Sequence, residues 1–340
     1  MMIPWNHESV RLTGRWSRPL PEDTDTHRHV QPLECAVTTA PGSYFEAAFT
    51  GSWAKLLFFM EQAQQPYPHL WISVDGGARV EVTLDRYIRI AAQGEGPHTV
   101  CVIYKGGMEQ LQRWHLPLTG SVSFLGLEAE GAAALAPDER PLVEFTGDSI
   151  TEGVLIDDDY APEHDYRYDQ LNRPWQDDVC ATYAYLAAEK LNVRAMFQAY
   201  GAAGMTRSGC GGVPRAGLQY PLVFEDMPYR GEKPDVVVIN HGTNDRKNSA
   251  EEFCARYEEY LSLVRRANPE VKIVCAIPMI GAYKAEITEI AERRRAAGEK
   301  IWLADLSGIL PDEPLHPLRP GHAAVVDRLT AALQQALAAK

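Results

Sequence analysis

Residues 142–153 read LVEFTGDSITEG and predict a buried strand that ends in an exposed serine. The apolar, β-prone beginning of this stretch is followed by Gly147, Asp148 and Ser149, small and polar residues that allow the backbone to turn sharply. At such a turn the Ser149 hydroxyl stands at the end of a parallel strand, where it meets a substrate instead of packing inward. Short triplets of common residues also form ordinary turns. Other segments of the chain are therefore needed to distinguish a serine that meets substrate from an ordinary turn.

Residues 141–340 alternate short apolar runs with helical patterns. The strand candidates are VEFTG, RAMFQAY, DVVVINHG, KIVCAIPMI and KIWLADLS. One intervening helix is well marked, because Ser249 and Glu252 form a capping box ahead of apolar residues at helical spacing. Alternation of this kind predicts a three-layer α/β/α domain, whose parallel sheet is covered on both faces and binds ligands beyond the carboxyl ends of its strands.

Residues 1–135 have a different pattern and read as β-structure. Short aromatic and β-branched runs such as HLWISV, YIRIAA and HTVCVIYK are separated by Gly, Pro or Asp. No long amphipathic helix is visible, so the pattern favours an antiparallel β-sandwich of the jelly-roll kind. The charged, small-residue stretch at 128–141 marks the boundary. We therefore predict an accessory β-sandwich domain over 1–135 and an α/β domain over 141–340.

Composition limits the partners that this chain is expected to have. Its 340 residues carry a net charge of −13, which disfavours nucleic acid and anionic membrane surfaces as partners. No signal-peptide pattern is visible at the N-terminus, and no run approaches the roughly 20 apolar residues that a membrane-spanning helix needs. The six cysteines are scattered, without a Cys-x-x-Cys spacing. We expect a reduced cytoplasmic protein, and the sequence leaves a homo-oligomer open.

Three further segments follow predicted strands and carry polar or glycine residues. They are AYGAAGMT at 199–206, GTND at 242–245 and EPLHPLRPGH at 313–322. Acyl transfer from an ester needs an activated nucleophile, a base that takes its proton, and donors for the oxyanion. A glycine N–H in the first segment and the Asn244 amide in the second can act as donors. His316 in the third is the candidate base.

In this order the four segments resemble the blocks of the SGNH hydrolases, also called the GDSL esterase family. The resemblance covers roughly residues 141–340 and implies a flavodoxin-like fold for them. It also implies that Ser149 is the nucleophile and that its own N–H is one oxyanion donor. Gly204 and Asn244 match the two other donors, and His316 matches the general base. No metal and no organic cofactor is implied.

One position departs from the family pattern, which usually has Asp three residues before the catalytic histidine. Here Glu313 occupies that position, and Asp312 lies one residue earlier. A carboxylate in this role holds the imidazole tautomer and stabilises the imidazolium. We favour Glu313. The alternatives are Asp312, or a backbone carbonyl that orients His316 and leaves a Ser-His dyad.

The β-rich module ahead of the SGNH-like part is similar to that of carbohydrate esterase family 2. The segments that carry this likeness are WSRPLP, PGSYFEAAFTG and ISVDGG. The likeness implies a serine esterase that removes O-acetyl groups from acetylated saccharides, here short oligosaccharides. One alternative is a lipase or thioesterase that acts on longer acyl chains. Another is a non-catalytic carbohydrate-binding protein.

Two further residues are candidates for substrate contact. The insert at 154–175 follows the nucleophile and is rich in Asp and Tyr, so it could wall the acyl site or form a solvated loop or subunit contact. Trp175 at its end is the best candidate in it for stacking on a sugar ring, and a buried structural Trp is the alternative. His241 precedes the GTND segment and is either a substrate contact or a hydrogen-bonded structural histidine.

The orienting carboxylate can be identified by two matched substitutions. We expect Glu313→Gln to lower kcat far more than Asp312→Asn, because the amide does not stabilise the imidazolium of His316 as a carboxylate does. Initial rates on 4-nitrophenyl acetate measure both variants against wild type. Small and equal effects would favour the dyad, and a larger loss in Asp312→Asn would move the role to Asp312.

Overall fold

The structure is a computed structural model, and it describes residues 1–20, 23, 35–157, 173–310 and 315–339. Within these ranges the chain forms an antiparallel sheet before residue 133 and a parallel sheet after residue 141. We call residues 1–135 the β region and residues 141–340 the α/β region. The two sheets confirm the predicted combination of an antiparallel β fold and a parallel α/β fold.

The strands of the β region pair in antiparallel fashion around one long central strand. They are β1 Met2–Pro4, β2 Val10–Thr13, β3 Ala36–Thr38, β4 Tyr44–Phe58, β5 His69–Val74, β6 Val80–Thr83, β7 Tyr87–Ala91, β8 His98–Gly106 and β9 Val122–Ala132. The first half of β4 pairs with β2 and β8, and the second half pairs with β7. Strand β9 pairs with β4 from Phe49 to Phe58.

Strand β4 bends so strongly that the sheet folds over onto itself. The rings of Phe45 and Phe58 lie 6.5 Å apart, although 13 residues of a straight strand would span about 43 Å. The bend lies at a register shift between Thr50 and Ala54, where Gly51 has a φ of +99°. A bulge lets one strand continue through this glycine, and the result is a β-sandwich around an aromatic core.

The parallel sheet has the strand order 2-1-3-4-5 of the flavodoxin-like fold. Its strands are β10 Leu142–Gly147, β11 Arg194–Ala199, β14 Val236–Asn240, β15 Lys272–Ile277 and β16 Ile301–Asp305, and a small hairpin of β12 Leu222–Phe224 and β13 Met227–Pro228 lies outside it. Strands β10, β11 and β14 are buried along their whole length, as expected for central strands of a parallel sheet that is covered on both faces.

Helices cover both faces of this sheet. They are α1 Ser149–Glu152, α2 Arg173–Gln176, α3 Tyr183–Leu191, α4 Ala216–Gln219, α5 Ala250–Ala267, α6 Lys284–Ala296 and α7 Arg319–Ala338. Helices α3 and α7 pack on one face, and α5 and α6 pack on the other. Ser249 caps α5 as predicted, because its hydroxyl accepts the Glu252 N–H at 3.2 Å. In the described part of the chain, no helix has the length and apolar character that crossing a membrane requires.

Two buried arginine–glutamate pairs join the β region to the α/β region. Arg15 donates from Nε to Glu144 on β10 at 2.8 Å, and its Nη1 donates to the Tyr220 carbonyl at 2.8 Å. Arg113, in the loop between β8 and β9, forms the second pair with Glu152 on α1. Charges taken out of water need close partners, so these pairs restrict how the two regions can pack together.

Removing one charge of the first pair should destabilise the protein. We expect Glu144→Gln to lower the free energy of unfolding by about 3–5 kcal/mol, because the guanidinium of Arg15 stays buried without its countercharge. The matched control is Glu259→Gln, whose partner Arg256 lies with it on the surface, and loss of this exposed pair should have a much smaller effect. Urea denaturation followed by circular dichroism measures both. Equal effects would contradict a special role for the buried pair.

Candidate active site

Three loops leave the parallel sheet at the same level of its carboxyl edge. Gly147 at the end of β10 lies in register with Ala199 at the end of β11 and with Asn240 at the end of β14. Ser149 follows the first of these strand ends, and Asn244 follows the third. The sheet therefore brings together the segments that the sequence predicts to carry the chemistry.

Ser149 is the first residue of the short helix α1. Asp148 is its N-cap, and its carboxyl group accepts the Ile150 N–H at 3.0 Å, which fixes the turn ahead of the helix. Burial raises the pKa of Asp148 to about 7. A side chain at Gly147 would meet Thr151 Oγ1 at 2.1 Å, so the turn needs a glycine there. The Ser149 N–H lies in the first helical turn, whose N–H groups have no intrahelical acceptor.

His316 contacts the serine directly. Its Nε2 lies 2.8 Å from Ser149 Oγ, within the reach of a nucleophile and its base. The histidine precedes α7, in a loop at the same edge of the sheet. Glu313 and Asp312, the two candidates for the orienting carboxylate, lie outside the described residues, so that assignment stays a prediction.

A second histidine holds the loop of His316 in place. His322 Nδ1 accepts the Tyr183 N–H at 3.1 Å, and the two rings are stacked. Burial lowers the pKa of His322 to about 3, so the ring is neutral and able to accept this bond. The Tyr183 hydroxyl in turn accepts from Asn240 Nδ2 at 2.6 Å and contacts Thr151 Oγ1 at 2.9 Å. Tyr183 thus connects the start of α7, which follows the loop of His316, to α1, which begins with Ser149.

The loop at 242–245 is tied to the loop at 200–206. Asn244 Nδ2 donates to the Ala203 carbonyl at 3.0 Å, which fixes the amide and leaves its second hydrogen for a ligand. The buried Asp245 carboxylate accepts the Met205 N–H at 3.0 Å and the Thr206 N–H at 2.8 Å. Asp245 therefore anchors the loop at 200–206 by hydrogen bonds.

The structure gives Gly204 a role that differs from the predicted one. Its N–H donates to the Arg207 carbonyl at 3.1 Å, within its own turn, so it does not point to an oxyanion. A side chain here would meet the Asp245 carboxylate at 2.6–2.8 Å. Close approach of Asp245 therefore explains the glycine. The Ser149 N–H and the Asn244 amide stay the predicted oxyanion donors.

Trp175 and His241 lie in contrasting environments. Trp175 is 54 % exposed. Its ring forms an edge-to-face contact with the ring of His69, and the two ring centres lie 4.4 Å apart. Its role in substrate contact stays a prediction, and residues 158–172 of the preceding insert lie outside the described part of the chain. His241 is only 1 % exposed, and burial lowers its pKa to about 4. Its ring packs edge to face against the Tyr260 ring, and within the described part of the chain its Nδ1 has no hydrogen-bond partner. Substrate contact and the hydrogen-bonded structural role of His241 both stay predictions.

Two charged residues near the site are missed by the sequence interpretation. Glu152 Oε2 accepts the Gly201 N–H at 2.6 Å, and the same carboxylate pairs with Arg113. Glu152 lies within the segment at 142–153, three residues after Ser149. No local pattern reveals its partners, because Arg113 and Gly201 lie far away in the sequence and meet it only through the fold.

A parallel α/β fold with a hydrogen-bonded serine and histidine at its carboxyl edge is an architecture of serine acyl hydrolases. The sequence profile of the GDSL-like Lipase/Acylhydrolase family matches residues 145–339. The chain belongs to that family.

Solved structures share the fold over nearly the whole chain. A family two carbohydrate esterase from Clostridium thermocellum, in complex with cellohexaose, is 24 % identical, with a TM-score of 0.72 over 96 % of this chain and 99 % of that one. A family two carbohydrate esterase from Cellvibrio japonicus is 19 % identical, with a TM-score of 0.76 over 99 % and 98 %. An acetyl xylan esterase from Butyrivibrio proteoclasticus is 19 % identical, with a TM-score of 0.69 over 97 % and 96 %. A comparison with curated protein sequences found no match.

Loss of the Asn244 amide should affect turnover more than binding. We expect Asn244→Ala to lower kcat on 4-nitrophenyl acetate by roughly 10²–10³-fold, as removal of an oxyanion donor does elsewhere. The control is Asn248→Ala in the same loop, whose exposed amide donates to Glu252 on the helix that follows. Full activity in Asn244→Ala would remove this residue from the mechanism.

Proposed function

We propose that this protein is a serine esterase that removes O-acetyl groups from short acetylated saccharides. The observation that carries the proposal is the 2.8 Å contact between His316 Nε2 and Ser149 Oγ in a chain of the GDSL-like family. The exposed Trp175 supports a sugar ligand, because an accessible indole offers an apolar face to a sugar ring. That the similar structures are named carbohydrate and acetyl xylan esterases supports it as well.

In the proposed reaction His316 Nε2 takes the proton of the Ser149 hydroxyl, and Oγ attacks the carbonyl carbon of the acetyl ester. The oxyanion accepts hydrogen bonds from the Ser149 N–H and the Asn244 amide. The imidazolium then protonates the sugar oxygen as the C–O bond breaks, which leaves an acetyl group on Oγ. His316 next takes a proton from water, the hydroxide attacks the acetyl carbon, and acetate is released as Oγ regains its proton.

The substrate class is tested by incubation with acetylated manno-, xylo- and gluco-oligosaccharides. Mass spectrometry should show stepwise loss of acetyl groups from at least one series, and Ser149→Ala should abolish it. Trp175→Ala should raise KM for the oligosaccharide and leave hydrolysis of 4-nitrophenyl acetate unchanged, since the small ester does not need the indole. No deacetylation of any series would remove the saccharide from the proposal.

The acyl group is tested separately with nitrophenyl esters of increasing chain length. We expect kcat/KM to fall sharply from acetyl to butyryl and longer esters. A preference for long chains would instead favour a lipase or thioesterase, the alternative that the family name also covers. A null result with a serine-directed organophosphonate would favour a non-catalytic carbohydrate-binding protein. A cytoplasmic location is part of the proposal and is tested by cell fractionation.

A further inference from the structure

We propose that Arg113 and Glu152 are positioning residues of the active site, and that the β region thereby takes part in catalysis. The proposal rests on the esterase function proposed above. It assigns a task to two buried side chains that do not touch the reacting atoms. Their task is to hold the loop at 200–206, and through it the amide of Asn244.

Glu152 connects the nucleophile helix to this loop. It is the last residue of α1, three residues after Ser149, and its Oε2 accepts the Gly201 N–H at 2.6 Å. Its Oε1 accepts from Arg113 Nη1. Glu152 is 2 % exposed and Arg113 is 1 % exposed, so water does not compete for either group. A charged acceptor at this distance gives one of the stronger hydrogen bonds that a backbone N–H can make.

Arg113 also holds the residue that precedes Gly201. Its guanidinium carbon lies 5.1 Å from the centre of the Tyr200 ring, in a cation–π contact. The Tyr200 hydroxyl contacts Thr39 Oγ1 of the β region at 3.2 Å. The Arg113 N–H donates to the Gly211 carbonyl at 2.9 Å, just beyond the loop. The β region therefore contacts this part of the α/β region at several points around Gly201.

The position of Gly201 determines the position of the asparagine amide. Two residues after Gly201, the Ala203 carbonyl accepts from Asn244 Nδ2. Glu152 fixes one end of the loop, and Asp245 fixes the other through the Met205 and Thr206 N–H groups. Loss of the bond between Glu152 and the Gly201 N–H moves the Ala203 carbonyl. The Asn244 side-chain amide moves with this carbonyl and turns away from the oxyanion.

The countercharge from Arg113 keeps the acceptor charged. Burial raises the pKa of Glu152, and Arg113 opposes this shift. The surrounding cluster contains three carboxyl groups, of Glu109, Glu152 and Asp177, and two guanidinium groups, of Arg113 and Arg173. Without Arg113, one cation would face three carboxyl groups, of which those of Glu152 and Asp177 are buried, so the cluster would take up a proton or rearrange.

The central test compares two buried arginines that both join the β region to the α/β region. Arg113→Met should lower kcat roughly 10²-fold with a much smaller change in KM, since a misplaced site loses transition-state contacts. Arg15→Met is the matched control, because its partner Glu144 lies within β10 and not at the loop. Both should lower the free energy of unfolding. Only Arg113→Met should lower kcat per active serine, counted by organophosphonate titration.

A rescue variant separates positioning from general damage. Arg113→Met/Glu152→Gln removes both charges and keeps an amide oxygen that can accept the Gly201 N–H. It should recover most of the kcat that Arg113→Met loses. If Arg113→Met does not fold, Glu152→Ala replaces it, with Glu152→Gln as the variant that keeps the acceptor.

Amide hydrogen exchange gives a readout that needs no activity. The peptide that spans residues 200–206 should exchange faster in Arg113→Met than in Arg15→Met or the double variant. Wild-type kcat and wild-type exchange in Arg113→Met would overturn the proposal, and so would equal losses in Arg15→Met. If wild type shows no Ser149-dependent esterase activity, the proposed function fails, whereas the exchange experiment still decides the role of Arg113.

Discussion

The register between β10 and its two neighbouring strands is the constraint on which the site depends. Gly147, Ala199 and Asn240 lie side by side, so the three loops that follow begin at one level. Because these strands are buried on both faces, a slip of register would place polar loop residues in the core. Ser149 and Asn244 therefore follow strand ends that lie side by side, and His316 reaches Ser149 from the loop before α7. Hydrogen bonds that involve Tyr183 and Asp245 then fix these segments relative to one another.

The junction between the two regions shows what buried ion pairs contribute. A buried pair contributes little net stability, since desolvation offsets much of the attraction, but it disfavours arrangements in which a charge lacks its partner. Arg15 and Arg113 both come from the β region, and both meet a glutamate of the segment that leads into the site. The two pairs thus orient the sandwich relative to β10 and α1. The Arg15–Glu144 pair lies at β10, and the Arg113–Glu152 pair lies at the end of α1.

Much of the fold and part of the site follow from local sequence. The strand ends and the positions of Ser149, Asn244 and His316 are readable because each depends on a few neighbouring residues. The direction of the Gly204 N–H depends on the turn that ends at Arg207, which no motif describes. The contact between Arg113 and Glu152 spans 39 residues and joins a loop without periodicity to a helix of one turn. Such contacts arise from packing of the two regions, so sequence patterns do not contain them.

The bend in β4 has a consequence for how this chain can be divided. Because the strand folds back near Gly51, the sandwich closes on itself and needs no strand from the α/β region to complete its core. Its contact face nevertheless depends on the partner region. A fragment of residues 141–340 would present Glu144 and Glu152 without the arginines that now cover them. The sandwich alone would expose Trp114 and Leu118, which pack in one cluster with Tyr200 and Phe224. Exchange of the sandwich for another module would therefore require a replacement that supplies both the arginines and this apolar surface, so the dependence between the two parts is mutual.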